Sequence, residues 1–289
     1  MWPPPAVGGP PPPPTWPPAW YPDPWQDGSV RWWDGRAWTT HTAHGLHTAH
    51  DAGTDTSEPF RTLPVVAAWW GLAVTLAALV GARVVLELLG RFDWPIIVYA
   101  ALAAVLGYGP MVAYCTFASR RWGTGSLATD LGLRLRWKDL AWAPVIWLSA
   151  WAGGIVAAIV VLAIRLPMTS NTEGIDDYAG DRGVLIAFLI VAVVVAPVAE
   201  EMMFRGVVMR GLASVAPIGL AIAGQGLFFG AAHVDPVRGW GNLGLMLVLA
   251  AVGVVFGGAT YLLRRLGPAI AGHALYNAAV LAIVLLLDP

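Results

Sequence analysis

Two adjacent glutamates, Glu200 and Glu201, interrupt a stretch that is otherwise apolar, with Val193-Val194-Val195-Ala196-Pro197-Val198-Ala199 before them and Val207-Val208-Met209 soon after. An ionisable group at the centre of a lipid-embedded helix costs about 2.5–3.5 kcal/mol or more, so each carboxylate needs a reason. Successive helical residues are turned by about 100°, which predicts that the two do not share one face. Glu201 and Arg205 stand i, i+4 and can form a structural ion pair inside the bundle. Glu200 then has no partner nearby in sequence, and it is the candidate general base or acid. Pro197 removes a helical hydrogen bond just before the pair and predicts a kink that admits water or substrate.

Outside the first 62 residues the chain has two histidines, His233 and His273, and both fall in apolar segments. Phe229 lies one helical turn before His233 and predicts an apolar wall beside it; His273 and Asn277 share a helix face. A carboxylate, two imidazoles and a carboxamide supply what peptide hydrolysis requires, a base for water and donors for the developing alkoxide. Glu200, His233 and His273 could instead be three zinc ligands around an open position, although His-Glu-x-x-His is absent. No cofactor is the expectation, with a divalent metal such as zinc the alternative. A second class of function uses the same residues as a relay in an ion- or proton-coupled transporter, or as a polar lock in a non-catalytic scaffold. The two similar halves common in such transporters are absent.

The elements that must position these residues follow from composition. Of 289 residues, 57% are hydrophobic and 12% charged, far below the roughly 25% charge of soluble domains. The fold expected is all-α, a polytopic membrane bundle of about seven to eight transmembrane helices behind a Pro/Trp-rich tail. Seven apolar segments stand at about 63–89, 94–118, 140–164, 184–212, 217–233, 240–263 and 267–287. Arg120, Arg121, Arg134, Arg136 and Lys138 place the loop after the second segment in the cytoplasm by the positive-inside rule, and the amino-terminal tail with it. Arg264 and Arg265 return to that side, while Glu173, Asp176, Asp177 and Asp181 fall outside. Trp69, Trp94, Trp142 and Trp240 suit interfacial anchors. Gly226 with Gly230, and Gly253 with Gly257, have the small-residue spacing of closely packed helices. Arg83 and Glu87 read as an ion pair near a helix end, and Cys115 as an inert buried side chain. A net charge of -1 excludes a nucleic-acid footprint.

Residues 1–62 form the tail and 63–289 the membrane domain. Twelve of the 23 prolines lie in the first 24 residues, a polyproline II spacer or ligand for aromatic grooves. No basic region leads into a short apolar core, so a cleaved signal peptide is not expected. Trp20-Tyr21-Pro22, Asp27-Gly28 and Trp32-Trp33-Asp34-Gly35 predict a small β-hairpin. This segment, about 19–42, resembles a Trp-rich module of unknown function found in actinobacterial membrane proteins; the resemblance implies a bacterial plasma membrane and no activity. His41, His44, His47 and His50 recur every third residue, which would align them along a polyproline-like strand. A polar linker and adventitious metal binding are both compatible with that repeat.

Glu-Glu-x-x-x-Arg at Glu200, Glu201 and Arg205, Phe-x-x-x-His at Phe229 and His233, and His-x-x-x-Asn at His273 and Asn277 occur in an order that resembles the CAAX proteases and bacteriocin-processing enzymes, the type II CAAX prenyl endopeptidase-like intramembrane proteases. The resemblance covers about 184–289. It implies an intramembrane endopeptidase acting on a membrane-associated or hydrophobic peptide or protein. By resemblance, Glu200 and His233 activate the attacking water, and His273 and Asn277 hold the oxyanion. Partners implied are that substrate and the lipid bilayer, with a further protein possible for the tail. Counting rise from turns near Ser214 and Gly267 sets Glu200 at mid-bilayer, His273 nearer the cytoplasm and His233 beyond, so straight helices would keep the three apart.

Overall fold

The computed structural model describes residues 18–26, 29–44, 60–169, 182–234 and 242–287. They belong to two compact units, Met1–Asp55 and Thr56–Pro289. In the first, β1 (Ala19–Pro22), β2 (Ser29–Trp33) and β3 (Trp38–His44) form an antiparallel sheet in that order. The hairpin expected from the Asp-Gly turn is β2–β3, and β1 adds a third strand. Asp34 accepts hydrogen bonds from the amides of Arg36 and Ala37, and Gly35 sits at φ +91°, where a side chain is strained. Trp33 is buried edge-on against Trp38, at 5.4 Å between centroids. Asp23, also buried, accepts from Arg31 at 3.0 Å, and that guanidinium lies over Trp25. His41 and His44 lie on β3. His47, His50 and Trp240 lie outside the described residues, as does the acidic loop from Glu173 to Asp181.

The second unit is helical. Its long helices are α1 (Val65–Leu89), α2 (Ile96–Trp122), α4 (Ala143–Ala163), α5 (Arg182–Leu212), α7 (Leu243–Leu263) and α8 (Gly267–Leu287), all long and apolar enough to cross a membrane. A short α3 (Leu127–Asp130) follows α2, and α6 (Ile218–Ala231) is the one apolar helix of intermediate length among the described residues. Prolines mark the starts, with Pro64, Pro95 and Pro217 just before α1, α2 and α6, and Pro144 and Pro268 in the first turns of α4 and α8. At those positions the missing N–H costs nothing. Leu76, Val105, Ile159 and Leu262 are each more than half exposed, as lipid-facing rows require. This is a multi-pass membrane protein.

Helix α5 runs through the centre. Its Met203, Phe204, Val207 and Val208 are buried against Ala67 and Ala68 of α1, Met111 and Cys115 of α2, and Phe229 of α6. Cys115 is fully buried. Arg83 and Glu87, 3.0 Å apart, are exposed on the last turns of α1. Helices α6 and α7 meet backbone to backbone: a Cβ on Gly230 would stand 2.1 Å from the Met246 carbonyl oxygen, and one on Gly226 2.8 Å from that of Ala250. The small-residue spacing seen in the sequence is this contact. Gly230→Val should therefore destabilise the bundle by about 1–3 kcal/mol or more, while Gly258→Ala, where nothing lies within 4 Å, should be neutral or slightly stabilising. Unfolding of both full-length variants in detergent micelles checks the contrast.

The connection from α2 to α4 folds over the α7–α8 turn. Asp130 accepts from Ser119 at 2.6 Å and from the Thr124 amide at 2.8 Å. Burial opposes charge on Asp130, but these bonds outweigh it and hold its carboxyl below the ordinary carboxylate range. Asp139 pairs with Arg265 at 2.8 Å, and the Leu266 amide donates to the Gly132 carbonyl. Arg264, in left-handed conformation, closes α7 with its guanidinium over Tyr261. Arg265, Leu266 and Gly267 are thus buried under a loop. The α7–α8 turn is an interior feature, and α8 begins deeper than a surface turn would.

Candidate functional site

Helix α5 is not a regular α-helix. Wider turns occupy Val191–Val195 and Glu201–Val208, with a single α turn, Ala196–Glu200, between them. Such π turns concentrate at functional sites because they cost hydrogen-bond geometry. In the first, the Ala196 amide donates to the Val191 carbonyl, five residues back. The next donor in that register would be residue 197, and proline has none. The Ala192 carbonyl so released accepts from Asn277 Nδ2 on α8, at 2.8 Å. Pro197 does remove a helical hydrogen bond, but the widened turn makes the released carbonyl that of Ala192 rather than Val193, and Asn277 braces it.

One turn later the two glutamates converge on a single ring. His273 Nδ1 lies 2.9 Å from Glu201 Oε1, and its Nε2 lies 3.7 Å from Glu200 Oε2. The expectation that the adjacent carboxylates would serve separate faces is corrected here. Their backbones diverge, but an imidazole has two nitrogens on opposite edges, and α8 inserts that ring between the two side chains. Glu201 also accepts from Arg205 Nη1 at 2.9 Å, within the ion pair anticipated from the spacing. Arg205 is fully buried, donates through Nη2 to the Gly253 carbonyl and lies over Phe229 at 4.4 Å. Gln225 of α6 donates to that same carbonyl. Phe256 stacks on His273 at 4.8 Å, so the ring is fixed in plane as well as at its edges.

Tyr108 of α2, which sequence reasoning missed, donates its hydroxyl to Glu200 Oε1 at 3.4 Å. It is one of several hydroxyl side chains in the second segment, with Tyr99, Tyr114 and Thr116, and nothing in the spacing singled it out. Glu200 Oε2 has no hydrogen-bond partner among the described residues and is buried. A buried carboxylate oxygen left unbonded is costly, and Glu201 Oε2 shares that state among the described residues.

His233 occupies the turn that ends α6. Its Nδ1 lies 2.8 Å from the Phe229 carbonyl oxygen. A carbonyl only accepts, so Nδ1 donates, and in the neutral ring Nε2 holds the lone pair. Phe229 touches both imidazoles, at 4.8 Å from the His233 ring and 5.7 Å from that of His273. It is the wall expected beside His233, and it also separates the two rings. The helices that carry the two histidines are not both full-length straight spans. Helix α6 has 14 residues, about 21 Å, and stops short of the ~30 Å hydrocarbon core, while α8 starts inside the protein. The His233 and His273 rings both lie against Phe229, and Glu200 meets the His273 ring on its Nε2 side. Among the described residues no three His, Cys, Asp or Glu side chains are grouped to hold a metal ion, and the set Glu200, His233 and His273 is not drawn together as ligands.

Comparison with known families agrees with this geometry. Residues 182–279 match the family model described as type II CAAX prenyl endopeptidase Rce1-like, and residues 18–52 match a protein family of unknown function, DUF2510. No curated protein and no solved structure matches the chain. The matched segment starts at the head of α5 and ends on α8 just after Asn277, so it contains both glutamates, both membrane histidines and their aromatic partition. Residues 182–279 of this multi-pass membrane protein are thus similar to the type II CAAX prenyl endopeptidase Rce1-like family.

Proposed function

We propose that the chain is an intramembrane endopeptidase in which Glu200 activates water for attack on a peptide bond of a membrane-associated or hydrophobic peptide or protein. The observation that carries this reading is the unbonded Oε2 of Glu200, buried between helices and facing His273. A general base must be within hydrogen-bond reach of the water it deprotonates, and its acceptor must be free. Glu200 has that acceptor, and Tyr108 aligns its other oxygen. His233 presents an unprotonated Nε2 as a second acceptor for the same water. Asn277 keeps a second N–H beyond the one given to Ala192, and amide donors of this kind stabilise an oxyanion. No metal is required by this arrangement, because a carboxylate and an imidazole supply the base.

The test is cleavage of hydrophobic peptides by the purified full-length protein in detergent. Glu200→Gln and His233→Ala should lose activity, and a strong chelator should leave the parent unaffected. Cleavage by both variants at the parental rate overturns the protease reading; loss on chelation with recovery on added zinc overturns the metal-free one. Tyr108→Phe, which removes the hydroxyl and keeps the ring, should lower kcat about tenfold with little change in KM, the size of one hydrogen bond to a charged group. The protein is assigned to a bacterial plasma membrane with its tail in the cytoplasm. The bacterial membrane rests on the resemblance of the Trp-rich module, the side of the tail on the arginine-rich α2–α4 connection, and the tail's Trp-rich sheet is then available to a protein partner there.

A further inference from the structure

Three arginines meet where α5 ends, beside the turn from α7 to α8. Arg210 is 2% exposed, its Nη1 donates to the Arg61 carbonyl at 2.8 Å, and its Nε is buried without a hydrogen-bond partner among the described residues. Its guanidinium lies over the Phe60 ring at 4.4 Å, and that of Arg264 approaches the same ring at 6.0 Å. Arg61 is half exposed and faces Asp130 across 3.6 Å. That carboxylate is already engaged, because Ser119, Thr124 and Gly125 all donate to it. Arg265 is matched by Asp139 and leaves no charge over. Among the described residues neither Arg210 nor Arg264 forms an ion pair, so three guanidinium groups are left with one carboxylate. A buried guanidinium beside a second one is costly without a counter-charge. The dipoles of α5 and α7, whose C-terminal ends carry Arg210 and Arg264, offset only part of that cost. Arg264 adds to it with a φ of +60°, the left-handed conformation in which glycine usually closes a helix.

We propose that Arg61 and Arg264, with the buried Arg210 behind them, bind the phosphodiester of an anionic lipid in the cytoplasmic leaflet. Two phosphate oxygens fit the planar fork of a guanidinium, and anionic headgroups are a feature of the cytoplasmic surface, the side to which the arginines of the α2–α4 connection assign this end of the bundle. Neighbouring side chains make a lipid the carrier of that phosphate. Val66 and Trp70 on the first two turns of α1, and Leu262 next to Tyr261 on α7, are exposed as lipid-facing side chains are, so acyl chains reach the level of the cluster. Arg61 and Arg264 offer donors to the headgroup, while Arg210 adds charge from the interior. The Arg210 carbonyl also accepts from the Leu63 amide. Residues 60–63 therefore tie the lipid to the end of α5, the helix that carries Glu200, and a bound lipid stabilises that junction.

The experiment counts retained lipids. Full-length protein in detergent micelles receives phosphatidylglycerol or phosphatidylcholine at equal concentration, and native mass spectrometry records what stays bound while a thermal scan records unfolding. The expected result is phosphatidylglycerol retained in preference to phosphatidylcholine, with a higher unfolding temperature. Arg61→Gln and Arg264→Gln should each weaken phosphatidylglycerol binding about fivefold, the worth of one arginine near an anionic membrane surface. Arg210 is left in place, because its loss would release the Arg61 carbonyl. The control pair Arg120→Gln and Arg121→Gln, exposed at the end of α2, should keep the retained lipid. Phosphatidylcholine held as firmly as phosphatidylglycerol overturns the proposal, as does an equal loss in the control pair, which would mean general surface charge. Inorganic phosphate added alone separates the two sources of the anion. If it displaces phosphatidylglycerol and raises the unfolding temperature as much, the site takes a soluble phosphate and the lipid assignment fails. The parental comparison requires no variant to fold. No catalytic residue is altered, so the outcome is independent of the endopeptidase reading.

Discussion

Glu200→Gln should lower peptide cleavage by about 10²- to 10⁴-fold, the range spanned by removal of a general base, while leaving the bundle at least as stable as the parent. The two halves of that expectation come from the same oxygen. Glu200 Oε2 is buried without a hydrogen-bond partner among the described residues, so its charge destabilises the folded state while serving as the acceptor for water. The amide keeps the side chain's shape and can still accept from Tyr108, but it cannot take a proton. Active sites held at a cost to stability commonly give inactive variants that melt higher. Kinetics on a peptide substrate and a thermal scan of the same micellar sample measure both effects. A variant that loses activity and also unfolds early would mean that Glu200 is a structural carboxylate and that the catalytic acid lies elsewhere.

The largest effect on stability is expected at Arg205. It is fully buried, donates to Glu201 and to the Gly253 carbonyl, and fills the space over Phe229 and beside Phe256. Arg205→Met keeps much of the volume but leaves Glu201 uncompensated in a low-dielectric interior, which should cost about 3–5 kcal/mol. Arg205→Lys should recover only part of this, because one ammonium cannot match the planar fork that reaches the carboxylate and the carbonyl together. Adding Glu201→Gln to Arg205→Met should return most of the lost stability, since the buried charge is then gone from both sides. Denaturation of the three variants in one detergent forms the cycle. If the double variant is as unstable as the sum of the singles, the two side chains are not energetically coupled.

The ion pair legible as i, i+4 spacing also reaches His273, a contact that no spacing could reveal, because that partner is 72 residues away from Glu201.

The chemical inventory of this protein was legible in the chain itself. Glu200, Glu201, Arg205, His233, His273 and Asn277 stand out because charged and polar side chains are expensive in apolar runs, and that cost is a local property of each residue and its neighbours. The membrane-spanning segments were legible for the same reason, as hydrophobic length is additive along the sequence. The two-strand module was legible from its Asp-Gly turn, and its third strand was not, because β1 pairs across a loop. Tertiary structure alone decided the connections and depths. The first widened turn of α5 depends on Asn277 arriving from α8 to donate to the orphaned Ala192 carbonyl. The depth of His273 depends on Asp139 and Gly132 burying the α7–α8 turn. Tyr108 reaches Glu200 from outside the family-matched segment. Spacing along one helix specifies which side chains share a face, but only packing between helices sets which faces meet and at what height.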